Sequence, residues 1–185
     1  MVTVPYVPPL DDPRYGEAVE VAPLIRRVIA KNPGKFSYTG TGTYIVGEGD
    51  VVVIDPGPRL DAHRDALERA LDAHTVRAIL VTHCHGDHSP LAAWLRDSTG
   101  APTVAFGPHG VADDDDEDDI VIPPPEPGSE PTVDPDEPVV TEEPVDTAFT
   151  PDITVRTGDV AYEDGAMRFV AVHTPGHTSN HTCFA

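Results

Sequence analysis

His83, Cys84, His85, Gly86, Asp87 and His88 set four metal-competent side chains into six consecutive residues, just after the apolar run at 76–81. If a strand carries His83 and His85, alternation puts both on one face, and a turn at Gly86 brings Asp87 and His88 round toward them. One short segment then serves two neighbouring cations. Neutral imidazole suits zinc, with bonds of about 2.0–2.1 Å, and a carboxylate adds a harder oxygen that lowers the charge of the site. A catalytic zinc keeps one position open, so three protein ligands per ion are wanted. Two such ions roughly 3.5–4 Å apart hold a hydroxide between them and clamp the group it attacks. The other reading of these residues is a polar loop that happens to be rich in histidine.

Several elements must position this segment. Residues 51–54 are apolar without alternation, as in a buried strand, and end at Asp55-Pro56-Gly57. Asp61 opens a helix in which Ala62, Ala66, Leu67, Ala70 and Leu71 recur at helical spacing, giving a stripe that packs on a sheet. Ser89 reads as an N-cap with Pro90 at the first helical position, opening a second helix over 91–97 that stops before Gly100. Strands are expected at 43–46, 102–106 and 167–172, a weaker one at 153–155, and one across 21–30, where 24–29 also suits a helical turn. Alternating strands and helices argue for a layered α/β core. Cys84 points away from His83 and His85 by strand alternation and is not counted as a ligand. Trp94 is packing on the second helix. His63, His74, His109 and His173 are read as surface or structural, and His181 as either a neighbour of the site or a strand histidine.

The stretch Thr82-His83-Cys84-His85-Gly86-Asp87-His88-Ser89 resembles the signature of the metallo-β-lactamase superfamily. Val52-Val53-Ile54-Asp55-Pro56-Gly57 resembles that family's earlier strand ending in aspartate, and His173-Thr174-Pro175-Gly176-His177-Thr178 resembles its third metal motif. Within the superfamily, Thr39-Gly40-Thr41-Gly42-Thr43-Tyr44 and His177-Thr178-Ser179-Asn180-His181 look most like the β-lactamase-like protein 2 group. The resemblance covers residues 21–110 and 145–185. It implies an α/β fold of four layers, αββα, present here as its first half and the start of the second sheet. It also implies that His83, His85 and His177 hold one zinc, that Asp87 and His88 contribute to a second, and that Asp87 helps move protons in catalysis. Asp55 would sit beneath the metals and accept hydrogen bonds from ligand-bearing loops; as a residue alone it is equally a turn aspartate before Pro56-Gly57.

A complete member of the family adds a bridging aspartate and a final histidine after the third motif, and no acidic residue follows His177 in this sequence. The expectation is therefore a C-terminally cut chain holding one Zn2+ or a partly filled two-zinc site. The implied activity is zinc-dependent hydrolysis of an ester, thioester, lactone or phosphodiester by a metal-bound hydroxide. Three other readings stand beside it: a zinc-binding fragment without catalysis, an endoribonuclease whose RNA-binding part lies outside this chain, and a di-iron protein on the same fold.

Composition sets the limits. The chain has 185 residues, 39% of them hydrophobic, with 21 prolines and a formal net charge of −20. Fourteen acidic residues and no Lys or Arg fall between Asp113 and Pro144, leaving eighteen acids against twelve bases elsewhere. Such a run repels itself, and its prolines block helix and sheet, so 113–144 is expected to be a solvated insertion, with 120–122 as its one patch suited to a short strand. The domain reading is an N-terminal extension over 1–20 and a partial metallo-β-lactamase domain over 21–185, interrupted by that insertion. No Lys or Arg occurs between Arg96 and Arg156. Nucleic-acid binding wants a basic surface, so a small-molecule substrate is favoured, and RNA would need cations from a C-terminal region beyond the chain. The N-terminus lacks the basic start and apolar core of a signal peptide, and no apolar run approaches the roughly 18 residues of a membrane span. These features, and two cysteines too few for a disulfide framework, point to a cytoplasmic protein without membrane contact and argue against a role in β-lactam resistance.

Overall fold

The computed structural model describes residues 12–110 and 144–185. The expectations for the first eleven residues and for 113–143, including the strand at 120–122, lie outside the described residues.

The chain runs through β1 (Ala18–Ala22), β2 (Ile25–Ile29), β3 (Gly42–Glu48), β4 (Asp50–Ile54), α1 (Asp61–Leu71), β5 (Thr75–Leu80), α2 (Ala92–Thr99), β6 (Thr103–Ala105), β7 (Ile153–Thr154), β8 (Val160–Glu163), β9 (Arg168–His173) and β10 (Thr182–Phe184). Strands β1 to β7 lie in sequence order in one seven-stranded sheet, and β10, β9 and β8 form a second. In the large sheet β1 to β4 are antiparallel, and the pairings from β4 through β7 are parallel. That switch follows from the connections: tight turns join β1 to β2 and β3 to β4 and a loop over 30–41 joins β2 to β3, whereas α1 and α2 carry the chain over one face before β5 and β6.

Side-chain alternation divides the core in two. On one side Val51, Val53, Ile79 and Val81 pack against Ala66, Leu67 and Leu71 of α1 and against Leu91, Ala92 and Leu95 around α2. On the other, Val52, Ala78, Leu80 and Val104 pack against Ala171, Phe169, Tyr162 and Phe184 of the small sheet. The two-sided burial explains why 51–54 reads as an unbroken apolar run. Helices, large sheet and small sheet thus stack in the α/β/β order of an α/β/β/α arrangement. Each fully buried leucine contributes roughly 1.5–3 kcal/mol, so Leu67 and Leu95, both essentially inaccessible, anchor the helices.

Three details depart from expectation. The strand expected across 21–30 is a hairpin, because Pro23 offers no N–H for pairing and Leu24 takes φ 63°, a turn with proline first and a left-handed residue second. β1 starts at Ala18, so it draws residues of the expected 1–20 extension into the sheet. Strand β8, which has little apolar periodicity, was not anticipated. The expected helix at Asp61 and strands at 43–46, 102–106, 153–155 and 167–172 are present within a residue or two. Among the described residues no helix is long and apolar enough to cross a membrane.

Candidate metal centre

Strand β5 stops at Leu80, and the chain leaves the sheet at Thr82, whose N–H is taken by the Asp55 carboxylate at 2.8 Å. His83 and His85 therefore stand on a loop, which corrects the expectation that strand alternation would align them. The loop is braced from beyond the acidic segment. Gly86 N–H donates to the Pro144 carbonyl at 2.6 Å, Asp146 N–H donates to the Cys84 carbonyl at 2.7 Å, and His85 forms an isolated bridge with Val145. A side chain at position 86 would place its Cβ 2.9 Å from the Pro144 oxygen, so glycine is required there for the close approach. Ser89 is not an N-cap. Its hydroxyl donates to Asp146 Oδ2 at 2.9 Å, and α2 begins at Ala92 with no side-chain cap, so Ser89 serves the brace instead.

His177 arrives from the connection between β9 and β10, more than ninety residues along the chain. Its Nε2 lies 3.0 Å from His85 Nδ1 and 3.2 Å from His83 Nε2, and those two nitrogens are 3.1 Å apart. Three imidazole nitrogens facing one another at this spacing match a metal cage. Tetrahedral zinc with bonds of about 2.0–2.1 Å separates its ligand nitrogens by about 3.3 Å. One tautomer can be worked out. Thr82 Oγ1 has a single proton, which it donates to Asp55 Oδ2 at 2.8 Å, so at 2.9 Å it accepts from His83 Nδ1–H. His83 Nε2 then carries a lone pair directed at the other two rings. Burial, followed by the positive charge on His88, holds His83 down to about 3, with Asp55 pulling the other way. Burial and His177 also lower His85. Both rings are neutral at pH 7, the form that binds metal.

Asp87 and His88 are arranged differently. His88 Nδ1 lies 2.9 Å from Asp55 Oδ2 and its Nε2 lies 3.4 Å from Asp87 Oδ2. Burial disfavours charge on His88, but the hydrogen bonds and charges of Asp55 and Asp87 outweigh it and lift the ring to about 10. Burial likewise opposes ionisation of Asp87, yet His88 and the Thr41 hydroxyl bring it down to about 2. Asp55 is lowered too, since His88 and Thr82 more than offset its burial. Asp87 Oδ2 accepts from Thr41 Oγ1, whereas its buried Oδ1 accepts no hydrogen bond from another described residue. Asp55 is held at φ 51°, a left-handed conformation that aspartate tolerates better than most residues. There it supports Thr82 and His88 at once.

The remaining histidines sort cleanly. His181 lies with its ring centre 5.2 Å from that of His83, and its Nδ1 is 2.7 Å from Thr174 Oγ1. His63 is buried, bonded to Thr43 Oγ1 at 2.9 Å and pushed down by burial to about 4. His173 stacks on Phe106 at 3.9 Å, His74 meets Arg26 at 2.8 Å, and His109 is exposed. Cys84 turns into the core, away from the imidazoles. Sequence reasoning missed Thr41 and Thr82 as supports. Thr82 adjoins the histidine run and Thr41 lies in a Gly/Thr-rich turn, but neither spacing announces a partner 27 or 46 residues away.

Comparison with known proteins places the chain in a family. The chain is 28% identical over 176 residues to an atrochrysone carboxyl ACP thioesterase of Aspergillus terreus, covering 93% of this chain and 43% of that protein. It is 30% identical over 181 residues to the lactamase-like protein ptaB of Pestalotiopsis fici, covering 96% of this chain and 44% of that one. It thus spans less than half the length of these relatives. Among solved structures, a β-lactamase domain protein from Burkholderia ambifaria superposes with a TM-score of 0.56 at 25% identity, covering 95% of this chain and 53% of that one. The class B3 di-zinc metallo-β-lactamase LRA-12 from an Alaskan soil metagenome shares the fold with a TM-score of 0.57 at 18% identity, covering 99% and 61%. The sequence pattern of the metallo-β-lactamase superfamily matches residues 39–185, which include both histidine motifs and Asp55. The chain belongs to the metallo-β-lactamase superfamily.

Proposed function

We propose that this chain is the metal-binding part of a zinc-dependent hydrolase that cleaves a small-molecule substrate, a thioester first among the ester, thioester, lactone and phosphodiester classes. The observation that carries the proposal is the convergence of His83, His85 and His177, which offer three nitrogens within 3.0–3.2 Å of one another. Zinc held there would supply Lewis acidity and lower the pKa of a water to about 7.

The protein's own groups do the rest. Thr82 and Asp55 fix the tautomer and angle of His83. Thr41 holds one oxygen of Asp87, and the other, Oδ1, is ionised, buried and available to receive a proton from a nucleophilic water and return it to a leaving group. Asp87 and His88 would be the protein's contribution to a second metal, for which His88 would have to be neutral.

Thioester cleavage is favoured by the thioesterase relatives, and the net charge of −20 disfavours a polyanionic substrate such as RNA. A location in the cytoplasm and kinship with the β-lactamase-like protein 2 group belong to the same proposal. The test is zinc titration of the chain followed by assay with a short acyl thioester, a simple lactone and a single-stranded oligoribonucleotide. Thioester turnover that requires zinc and disappears in Asp87→Asn is the expected result. Zinc binding without turnover of any substrate would make the chain a metal-binding module instead, and RNA cleavage alone would overturn the substrate assignment.

A further inference from the structure

The three proposed ligands come from two different sheets, so something must hold the His177 hairpin in register with the His83 loop. We infer that Asn180, through Cys84 and Gly107, is the positioning residue that locks these two parts of the metal centre together. The inference rests on the proposed zinc site and adds a residue to it.

Asn180 is 1% exposed and Cys84 is fully buried, three residues from His177 and between His83 and His85 respectively. The Asn180 carboxamide Nδ2 donates to the Gly107 carbonyl at 2.9 Å and to Cys84 Sγ, its Oδ1 accepts from Thr178 Oγ1 at 3.0 Å, and the Cys84 thiol in turn faces the Gly107 carbonyl at 3.8 Å. The orientation of the amide is forced. A carbonyl only accepts, so the face toward Gly107 must be the NH2 group, and both of its hydrogens are then committed. Each protein part supplies one end: Thr178 and Asn180 lie within the hairpin that carries His177, whereas Cys84 and Gly107 belong to the large-sheet side. Beside this latch a backbone tie between the two sides near the site runs from Thr182 N–H to the Thr82 carbonyl, at 2.9 Å. Phe106 adds a stack with His173 at the hairpin's base. Metal ligands need placement to within about 0.5 Å, and a buried amide with both hydrogens committed across the seam adds a directional tie to the backbone bond and the stack. Cys84, which is buried in the core and outside the imidazole cluster, thereby has a use: its sulfur accepts from Asn180 at the midpoint of the two-histidine loop.

The latch predicts a pattern among variants of the 185-residue chain, read by chelator competition for zinc and by the visible spectrum of the cobalt-substituted protein. Asn180→Ala and Asn180→Asp should each weaken zinc binding by about tenfold to a hundredfold, and both should shift the cobalt spectrum as His177 moves. Cys84→Ser retains an acceptor and should bind zinc within about threefold of the parent, whereas Cys84→Ala should not; its effect should not add to that of Asn180→Ala, as expected for two groups in one network. If Asn180→Ala does not fold, Thr178→Val, which removes only the hydroxyl that orients the amide, carries the test with a smaller loss and the same spectral shift. A lower melting temperature with unchanged zinc affinity and an unchanged cobalt spectrum would overturn the inference, leaving Asn180 as an ordinary core residue. Failure of the parent chain itself to bind zinc would instead sink the metal-site proposal and the latch with it.

Discussion

The candidate metal centre contains two clusters of similar residues in opposite states. In the His83–His85–His177 triangle, imidazole nitrogens face one another with no counter-charge between them, and His83 and His85 are held neutral. A few ångströms away, Asp55, His88 and Asp87 close on each other as a charged chain, with the His88 ring lifted to about 10. The first is arranged for a cation that it must recruit; the second already holds one, a proton. Preorganisation and self-satisfaction are thus separable even among ligands supplied by a single six-residue motif.

The largest effect should come from breaking the closed cluster. Asp55→Ala leaves a buried charged histidine short of one partner and frees the Thr82 N–H, so the metal-free protein should lose about 3–5 kcal/mol in urea unfolding. His177→Ala should change metal-free stability less, because it removes an exposed ring and breaks no charged pair. It should instead weaken zinc binding by at least about a hundredfold, or about 2.7 kcal/mol. Equal losses of stability in the two variants would erase the distinction between the clusters.

Titration sharpens the same comparison. The folded value of His88 is raised above the ordinary 6.5, so its contribution to stability is fully present below that pH and is lost as pH climbs through about 10. Stability of the metal-free chain should fall across this window, and His88→Gln should flatten the fall. The first zinc should displace few protons at pH 7, since His83 and His85 are neutral, whereas a second ion taken by His88 must release one; calorimetry in buffers of different ionisation enthalpy distinguishes them. The smallest effect is expected from Thr41→Val. It removes one hydrogen bond to Asp87 and should cost about 0.5–1.5 kcal/mol, with Asp87 drifting upward from its depressed value.

Much of the fold was legible because its signals are local. An unbroken apolar run marked β4, helical spacing marked α1, and the histidine run announced where chemistry would sit. What stayed hidden depends on partners far away in sequence. Ser89 carries every local mark of an N-cap, yet its hydroxyl is drawn to Asp146, a residue 57 positions on. His83 and His85 follow a clear strand, but Asp55 takes the Thr82 N–H and ends the strand before they are reached. Asp55 was expected from the family resemblance to support the ligand-bearing loops, and it does, but nothing local named His88 as its partner. Residue types named the candidate ligands; only the fold decides which of them already has a partner.

The most direct test is zinc K-edge absorption fine structure of the chain loaded with a single equivalent of zinc. The account predicts a four-coordinate ion with three imidazole nitrogens at about 2.0–2.1 Å, and loss of one imidazole signal in His177→Ala. A shell built from carboxylate and water oxygens, or one containing a sulfur at about 2.3 Å from Cys84 or Cys183, would contradict it.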